Sequence, residues 1–282
     1  MTAVLGAPTA AAAQLPPLGA ETSLLVVAPH PDDETLCCAG VIQRVAQAGG
    51  RVSIVWITSG DASELDLLLI ETSLFLRPGK ARDLAVRRMR EARAAAVVLG
   101  VPAGGQVFLG YPDRAVLELL TGHYTTAYSS RFTAADAVPY PEALFPGHPY
   151  SGASLERDLG AVLERVRPTL VLAPSPRDTH PDHRATGLLT QRVMTRRGEA
   201  AALRYWIVHG DEGWPSPRGL YPGLPLTPAL RDPRAAWTAF ELTPEQEDRK
   251  LTALRAYRTQ MQVMAPFLLA FVRTSELFSA AP

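Results

Sequence analysis

Short apolar runs alternate with helix-like segments along most of this 282-residue chain, and this alternation limits its folds more than any other feature. The first run, Leu24 to Ala28, has no polar alternation, which is typical of a strand covered on both faces. Strands that alternate with helices form a mostly parallel sheet with helices on both faces. The sequence therefore predicts an α/β fold of the doubly wound, Rossmann-like type, in a single domain with long loops.

The predicted elements follow one another in a regular order. Strands are expected at residues 24–28, 52–58, 107–109, 169–173 and 205–208. Helices are expected at residues 35–49, 81–99, 155–167 and 184–196, and from the cap residue Thr243 to about Met264. Two proline-rich segments, Thr121 to Ser154 and Asp211 to Pro233, exceed ordinary loop lengths. We expect these two segments to wall the mouth of an active site.

The charge balance and the lack of a long apolar run argue against two classes of protein, dedicated nucleic-acid binders and transmembrane proteins. The 28 basic and 28 acidic residues cancel, so the chain lacks the basic excess of a dedicated nucleic-acid binder. No apolar run reaches the 18 residues that would predict a transmembrane helix. The alanine-rich residues 1–22 are predicted to be a disordered leader or an export-signal remnant before a domain at 23–282, which leaves both cytoplasmic and exported locations open.

Cys37 and Cys38 are expected to pack in the core without a disulfide, because neighbouring cysteines rarely form one.

Histidine and acidic side chains follow two of the predicted strands. PHPDDE at residues 29–34 comes directly after the first strand, and HPDH at residues 180–183 follows the fourth. In open α/β sheets, ligands bind beyond the carboxyl ends of the strands, so both clusters are expected at one edge. Histidine and carboxylate ligands that leave a coordination position open suit a catalytic divalent metal.

The residue types alone leave two questions open at this point. Asp32 or Asp33 could serve only as a cap for the following helix. The spacing of the second cluster does not decide whether His180 or His183 binds the metal.

These motifs together resemble those of the LmbE-like or PIG-L family of zinc-dependent N-deacetylases, which act on N-acetylglucosamine conjugates and related N-acyl amino sugars. The resemblance rests on PHPDDE, HPDH and three further segments: RMREA at 88–92 with Leu99-Gly100 after it, FLGYPD at 108–113, and KLTALRAYRTQ at 250–260. The last segment has Tyr257 and Thr259 where His and Ser are commoner in the family. The matching motifs extend from about residue 24 to 262 and do not specify a substrate.

The resemblance implies a role for each residue of the two clusters. The metal would be bound by His30, Asp33 and His183. It would be Zn²⁺, with another divalent ion such as Fe²⁺ as the alternative. Asp32 would be the general base that accepts a proton from the attacking water. His180, in its protonated form, would stabilise the oxyanion or protonate the leaving amine, and Asp182 would orient a histidine.

Arg88 and Asp113 are expected to contact the sugar hydroxyls or the acyl group, although a salt bridge between a helix and a loop would explain the same pair. The resemblance as a whole implies a hydrolase that removes an N-acetyl or N-acyl group from a small amino-sugar conjugate. It also implies a tendency to form homo-oligomers. Two alternatives stay open: a non-catalytic metal- or sugar-binding protein, and a non-haem Fe(II) enzyme that uses the same ligands.

Overall fold

The computed structural model describes residues 14–62, 78–229 and 236–282. Most of the predicted leader, residues 1–13, therefore lies outside the described residues, as do residues 230–233 of the second proline-rich segment. Leu15 and Leu18, at the described end of the predicted leader, pack against the core.

A five-stranded parallel sheet forms the centre of the molecule, in the order β3-β2-β1-β4-β5. Its strands are β1 (Ser23–Ala28), β2 (Arg51–Thr58), β3 (Gln106–Tyr111), β4 (Leu170–Pro174) and β5 (Leu203–Trp206). The central strand β1 is buried along its whole length, as its unbroken apolar run predicts. The predicted α/β fold is confirmed.

Seven α-helices surround the sheet within the described ranges. They are α1 (Asp33–Gln47), α2 (Pro78–Val98), α3 (Val116–Thr121), α4 (Gly152–Val166), α5 (Pro181–Arg196), α6 (Pro244–Ala256) and α7 (Arg258–Leu269). Single turns of 3₁₀-helix occupy Ala103–Gly105 and Ala200–Ala202. None of these helices is both long and apolar enough to cross a membrane.

The strand order reverses between β1 and β4, because β2 and β3 lie on one side of β1 while β4 and β5 lie on the other. This topological switch point is where open α/β sheets bind ligands, in the crevice beyond the strand ends. The two histidine-containing clusters follow these two strands. Helix α5 begins at Pro181, three residues before its predicted start, so His183 lies in its first turn.

The predicted helix from Thr243 to Met264 is in fact two helices, and this prediction was wrong. Helices α6 and α7 meet at Tyr257, whose φ of −78° and ψ of 61° are not helical. The side chain of Tyr257 is fully buried, and its hydroxyl donates to Glu34 in α1. This tertiary contact fixes the break, and hydrophobic periodicity along the chain carries no sign of it.

A small antiparallel sheet near the C-terminus was not predicted from the sequence. Its strands are β6 (Thr238–Glu241) and β7 (Ser275–Phe278). Glu276 in β7 is buried and pairs with Lys250 Nζ at 2.9 Å, while the backbone N–H of Gly40 also donates to it. The ammonium group of Lys250 donates in addition to the carbonyl of Leu36 at 2.8 Å. This network joins α1, α6 and β7.

Cys37 and Cys38 are buried in α1 as predicted, but a disulfide joins them, so the expectation of no disulfide was wrong. That expectation relied on the rarity of disulfides between adjacent cysteines. Such disulfides are uncommon, but sterically they can form. A link between adjacent residues ties no distant elements together. The fold therefore depends on its hydrophobic core, which includes the whole of β1.

Candidate active site

The two clusters meet beyond the ends of β1 and β4. Between β1 and α1 the chain makes a tight turn in which Asp32 has a φ of 122°, a conformation that residues other than glycine rarely adopt. The backbone N–H of His30 donates to Asp33 Oδ2 at 2.9 Å, which closes this turn. The turn thus brings the side chains of His30, Asp32 and Asp33 to the switch point, opposite the first residues of α5.

Three ligand atoms form a compact triangle at the centre of the site. His30 Nδ1 lies 3.4 Å from Asp33 Oδ2, and His183 Nε2 lies 3.3 Å from each of these two atoms. A tetrahedral ion with bonds of about 2.0–2.1 Å separates its ligand atoms by about 3.3–3.4 Å. The arrangement therefore fits a small divalent cation. His180 also lies within ligating reach of His30 and His183, so distance alone does not exclude it as a ligand.

Carboxylates behind the two histidines decide which ring nitrogens can face a metal. Asp178 Oδ2 lies 3.1 Å from Nδ1 of His183, and Asp182 Oδ2 lies 3.2 Å from Nε2 of His30. An ionised carboxylate can only accept hydrogen bonds, so these two nitrogens carry protons. The other nitrogens, Nε2 of His183 and Nδ1 of His30, are the ones in the triangle, and each can offer a lone pair to a cation.

The charges around the triangle favour a cation. Burial by itself would lower the pKa of His183, but Asp33 and Asp178 outweigh burial and raise it to about 9. Burial would likewise lower the pKa of His30, but Asp113 raises it, and the pKa of His30 lies well above its usual value. Burial raises the pKa of Asp33, but His183 and His30 bring it well below its usual range. A site that stabilises positive imidazoles has the negative potential that a divalent cation requires.

Asp32 lies next to Asp33 in sequence, but neither of its oxygens belongs to the triangle. Burial raises the pKa of Asp32 to about 8, against the opposing charge of Arg88. Arg88 Nη2 lies 3.4 Å from Asp32 Oδ2 and donates to the carbonyl of Pro31 at 2.8 Å, while Nη1 donates to the carbonyl of Gly60. Arg88 therefore holds the turn that carries Asp32. A carboxyl whose pKa is near neutrality can both accept and return a proton.

Glu34 supports the same turn from the interior. Its Oε2 accepts the indole N–H of Trp56 at 2.9 Å and the backbone N–H of Asp32 at 3.3 Å, and its Oε1 accepts the hydroxyl of Tyr257. Burial raises the pKa of Glu34, although these hydrogen bonds oppose the shift. The strained backbone at Asp32 is therefore fixed by buried partners on the side away from the cavity.

His180 differs from the protonated histidine that was predicted at this position. Its Nδ1 accepts the backbone N–H of Asp182 at 3.2 Å, so Nε2 carries the proton of the neutral ring. Burial and the neighbouring His30 and His183 lower the pKa of His180 to about 2. The neutral ring can donate a hydrogen bond from Nε2.

Asp182 and Asp113 both lie behind His30. Asp182 is fully buried and also accepts the backbone N–H groups of Arg114 and Val116, at 2.7 and 3.0 Å. It therefore contacts His30, and its predicted role of orienting a histidine stays a prediction. Asp113 Oδ1 lies 3.2 Å from His30 Nε2; burial would raise the pKa of Asp113, but His30 holds it well below its usual range.

Arg88 and Asp113 line the cavity, yet their charged groups face one another at 3.8 Å. The structure therefore agrees with the alternative that they form a salt bridge between a helix and a loop. Of the guanidinium nitrogens of Arg88, the buried Nε has no hydrogen-bond partner among the described residues. Sugar contact by this pair remains a prediction.

Asp178 and His209 belong to the site but were missed in the sequence. The ring centre of His209 lies 4.7 Å from that of His183 and 5.1 Å from that of His180. Burial and the charge of His183 lower the pKa of His209 to about 4. His209 comes just after β5, so its position after a parallel strand could have indicated it.

The described residues of the two proline-rich segments do not line the cavity over the triangle, while the second segment reaches a cavity that adjoins it. The cavity over the triangle is lined instead by residues of the clusters and by α7, including Gln260, Met264 and Phe267. An adjoining cavity of about 420 Å³ shares His209 and Phe267 with it and is lined by residues of the second segment, among them Trp214. Residues of the first segment line neither cavity, because aromatic side chains such as Tyr140 are buried in the core.

Residues 25–194 match the family described as PIG-L: GlcNAc-PI de-N-acetylase. The chain belongs to the PIG-L family. A relative from Tsukamurella paurometabola, named 1D-myo-inositol 2-acetamido-2-deoxy-alpha-D-glucopyranoside deacetylase, is 30% identical over 283 residues, with 89% of this chain and 87% of the relative covered. This match supports the resemblance inferred from the motifs.

Two solved structures share the fold at lower sequence identity. The N,N'-diacetylchitobiose deacetylase from Pyrococcus horikoshii is 21% identical with a TM-score of 0.55, covering 90% of this chain and 82% of that one. The 4-carboxy-2-hydroxymuconate hydratase from Pseudomonas putida is 18% identical with a TM-score of 0.54, covering 88% and 82%. These likenesses concern the fold alone, and the second shows that this fold also occurs in a hydratase.

This chain departs from the commoner form of the family's late motif at Tyr257 and Thr259, and both residues are buried. Tyr257 is fully buried with its hydroxyl bonded to Glu34. Thr259 donates its hydroxyl to Glu91 Oε1 at 2.8 Å and its backbone N–H to the same oxygen at 3.1 Å. Both positions therefore serve contacts between elements.

Proposed function

We propose that this protein is a metal-dependent hydrolase that removes the N-acetyl group from an N-acetylglucosamine conjugate. One observation carries the proposal: His30, Asp33 and His183 place three ligand atoms 3.3–3.4 Å apart, with the unligated carboxylate of Asp32 next to Asp33 in the same cavity. The name of the Tsukamurella paurometabola relative, which specifies a glucosaminide of inositol, supports a conjugate of this class.

The donor set of two imidazole nitrogens and one carboxylate oxygen suits Zn²⁺ and would also accept Fe²⁺. Bound Zn²⁺ would supply Lewis acidity, because it can lower the pKa of water to about 7 and polarise an amide carbonyl. The rest of the catalysis falls to the side chains around it.

Asp32 would accept the proton of the attacking water and then pass it to the leaving nitrogen. Arg88 keeps Asp32 in place through the contacts described above. His180 would donate a hydrogen bond from Nε2 to the oxygen that becomes negative in the tetrahedral intermediate of the amide. In this scheme His180 stays neutral throughout.

The test is acetate release from an N-acetylglucosamine–inositol conjugate by the Zn²⁺-loaded protein. We expect release to stop after chelation and to return with added Zn²⁺. Asp32→Asn should lower kcat by about 10²–10⁴-fold, the usual contribution of a general base, while metal content stays unchanged. Asp158→Asn is the matched control, since Asp158 is a buried carboxylate that pairs with His148 and Tyr111 and does not line the cavity over the triangle.

The same assay separates the alternatives. A metal-loaded protein that releases no acetate from any N-acetylglucosamine conjugate would contradict the proposal and favour a non-catalytic binding protein. Oxygen consumption that depends on Fe²⁺ would favour the non-haem iron enzyme. Self-association stays a prediction from sequence, and both cytoplasmic and exported locations stay open.

A further inference from the structure

We propose that Asp178 is a positioning residue that fixes His183 for metal binding and ties the second cluster to the end of β5. The inference rests on the proposed metal site at His30, Asp33 and His183. It assigns a role to a residue outside the two sequence clusters, two positions before His180 in the loop between β4 and α5.

Asp178 is fully buried and accepts hydrogen bonds from four donors. Oδ2 lies 3.1 Å from Nδ1 of His183 and accepts the backbone N–H groups of Val208 and His209, both at 3.0 Å. Oδ1 accepts the backbone N–H of His180 at 2.9 Å. These donors come from the loop after β4, the first turn of α5 and the segment after β5.

The contact with His183 controls the chemistry of its ring. With the proton held on Nδ1, Nε2 presents a lone pair to the triangle it forms with His30 and Asp33. A carboxylate behind a ligating imidazole fixes its tautomer and orientation and makes it a stronger ligand. Removal of such a carboxylate typically costs 10–100-fold in metal affinity.

The other three contacts set the position of the carboxylate itself. Each of these donors is a backbone N–H. The main chain therefore holds the side chain of Asp178 from two segments, at His180 before His183 and at Val208 and His209 after it. The same contacts place the backbone of His180 and His209, whose rings line the cavity. One carboxylate thereby positions three histidines of the site.

Asp158 offers a matched control elsewhere in the fold. It is 1% exposed, its Oδ1 lies 2.9 Å from Nδ1 of His148, and its Oδ2 accepts the hydroxyl of Tyr111 at 2.8 Å. It therefore repeats the buried aspartate–histidine contact without any part in the triangle. The same substitution at both positions separates a general cost of lost buried hydrogen bonds from an effect on the metal site.

The experiment compares Asp178→Asn with Asp158→Asn by competition of each folded protein with a chromogenic chelator for Zn²⁺. Asparagine offers one acceptor oxygen to four donors at position 178 and carries no charge. We expect Asp178→Asn to weaken Zn²⁺ affinity by about 10–100-fold and Asp158→Asn to leave it within about threefold of the wild type. Unchanged affinity in Asp178→Asn, or an equal loss in both variants, would overturn the inference.

A measurement on the wild type keeps the inference testable if Asp178→Asn does not fold. Long-range ¹H–¹⁵N spectra of the Zn²⁺-loaded protein should show His183 protonated at Nδ1, with Nε2 bound to the metal. A ring protonated at Nε2 would refute the role of Asp178. Neither measurement uses substrate, so a protein that passes both and yet releases no acetate would count only against the proposed activity.

Discussion

Neighbouring side chains give identical residue types different properties at this site. Asp32 and Asp33 are adjacent and both buried, yet burial raises the pKa of Asp32 to about 8 while His183 and His30 bring that of Asp33 well below its usual range. The motif and its family resemblance were enough to predict that both carboxylates lie in the site. Asp178 and His209 were not predicted, because neither belongs to the PHPDDE or HPDH motif and their contacts in the site join separate elements.

Asp61 is a buried carboxyl whose ionisation should affect stability. Burial and the charge of Asp113 raise the pKa of Asp61 from 3.8 to about 7. The folded protein therefore holds this proton more tightly than the unfolded chain does. Its contribution to stability is complete below about pH 4 and is lost as the pH rises towards 7.

We expect Asp61→Asn to remove this loss. Between pH 5 and pH 8, the free energy of unfolding of the wild type should fall relative to that of the variant by up to about 3 kcal/mol. Urea denaturation at both pH values measures the difference. Asp83→Asn, at an exposed position on α2, should follow the wild type, and parallel behaviour of Asp61→Asn would refute the prediction.

At the scale of elements, the buried parallel strands were predicted well and the C-terminal elements poorly. Strands such as β1 and β4 are continuous apolar runs, so their own residues identify them. The break between α6 and α7 and the pairing of β6 with β7 depend on distant partners. A charged residue such as Glu276 in the middle of a four-residue segment does not favour a buried strand. In the structure, the ion pair with Lys250 compensates for the burial of this charge.

The pair formed by Lys250 and Glu276 should contribute strongly to stability because both side chains are buried. Lys250→Met leaves Glu276 without a counter-charge, and loss of one partner of a buried pair costs about 3–5 kcal/mol. The double variant Lys250→Met with Glu276→Gln removes the charge but keeps an acceptor for the N–H of Gly40, so it should be more stable than the single variant.

Urea denaturation of both variants measures these differences. Arg197→Met, which breaks the more exposed pair with Glu199, is the control and should change the free energy of unfolding by at most about 1 kcal/mol. A loss in Lys250→Met no larger than in this control would contradict the prediction.

At the scale of the whole molecule, the formal net charge of zero conceals a strongly acidic site. Asp32, Asp33, Asp113, Asp178 and Asp182 are all buried around the switch point between β1 and β4. The position of the two motifs in the fold could be predicted from the sequence, because the carboxyl ends of parallel strands lie at the same edge of a sheet. The walls of the cavity could not, because α7 reaches the site only after the chain breaks at Tyr257.

Metal binding should stabilise the whole fold, since the proposed ligands come from two separate parts of the chain. His30 lies in the turn before α1 and Asp33 begins that helix, whereas His183 lies 150 residues after Asp33, in α5. An ion that binds only the folded state adds about 2.7 kcal/mol when its free concentration is 100 times the Kd. We expect the Tm of the chelator-treated protein to rise on addition of Zn²⁺ and to change little with Mg²⁺, which prefers oxygen ligands. Scanning calorimetry measures this shift, and Asp33→Ala should largely abolish it. An equal Zn²⁺ response in wild type and Asp33→Ala would place the ion at other groups and count against the ligand set.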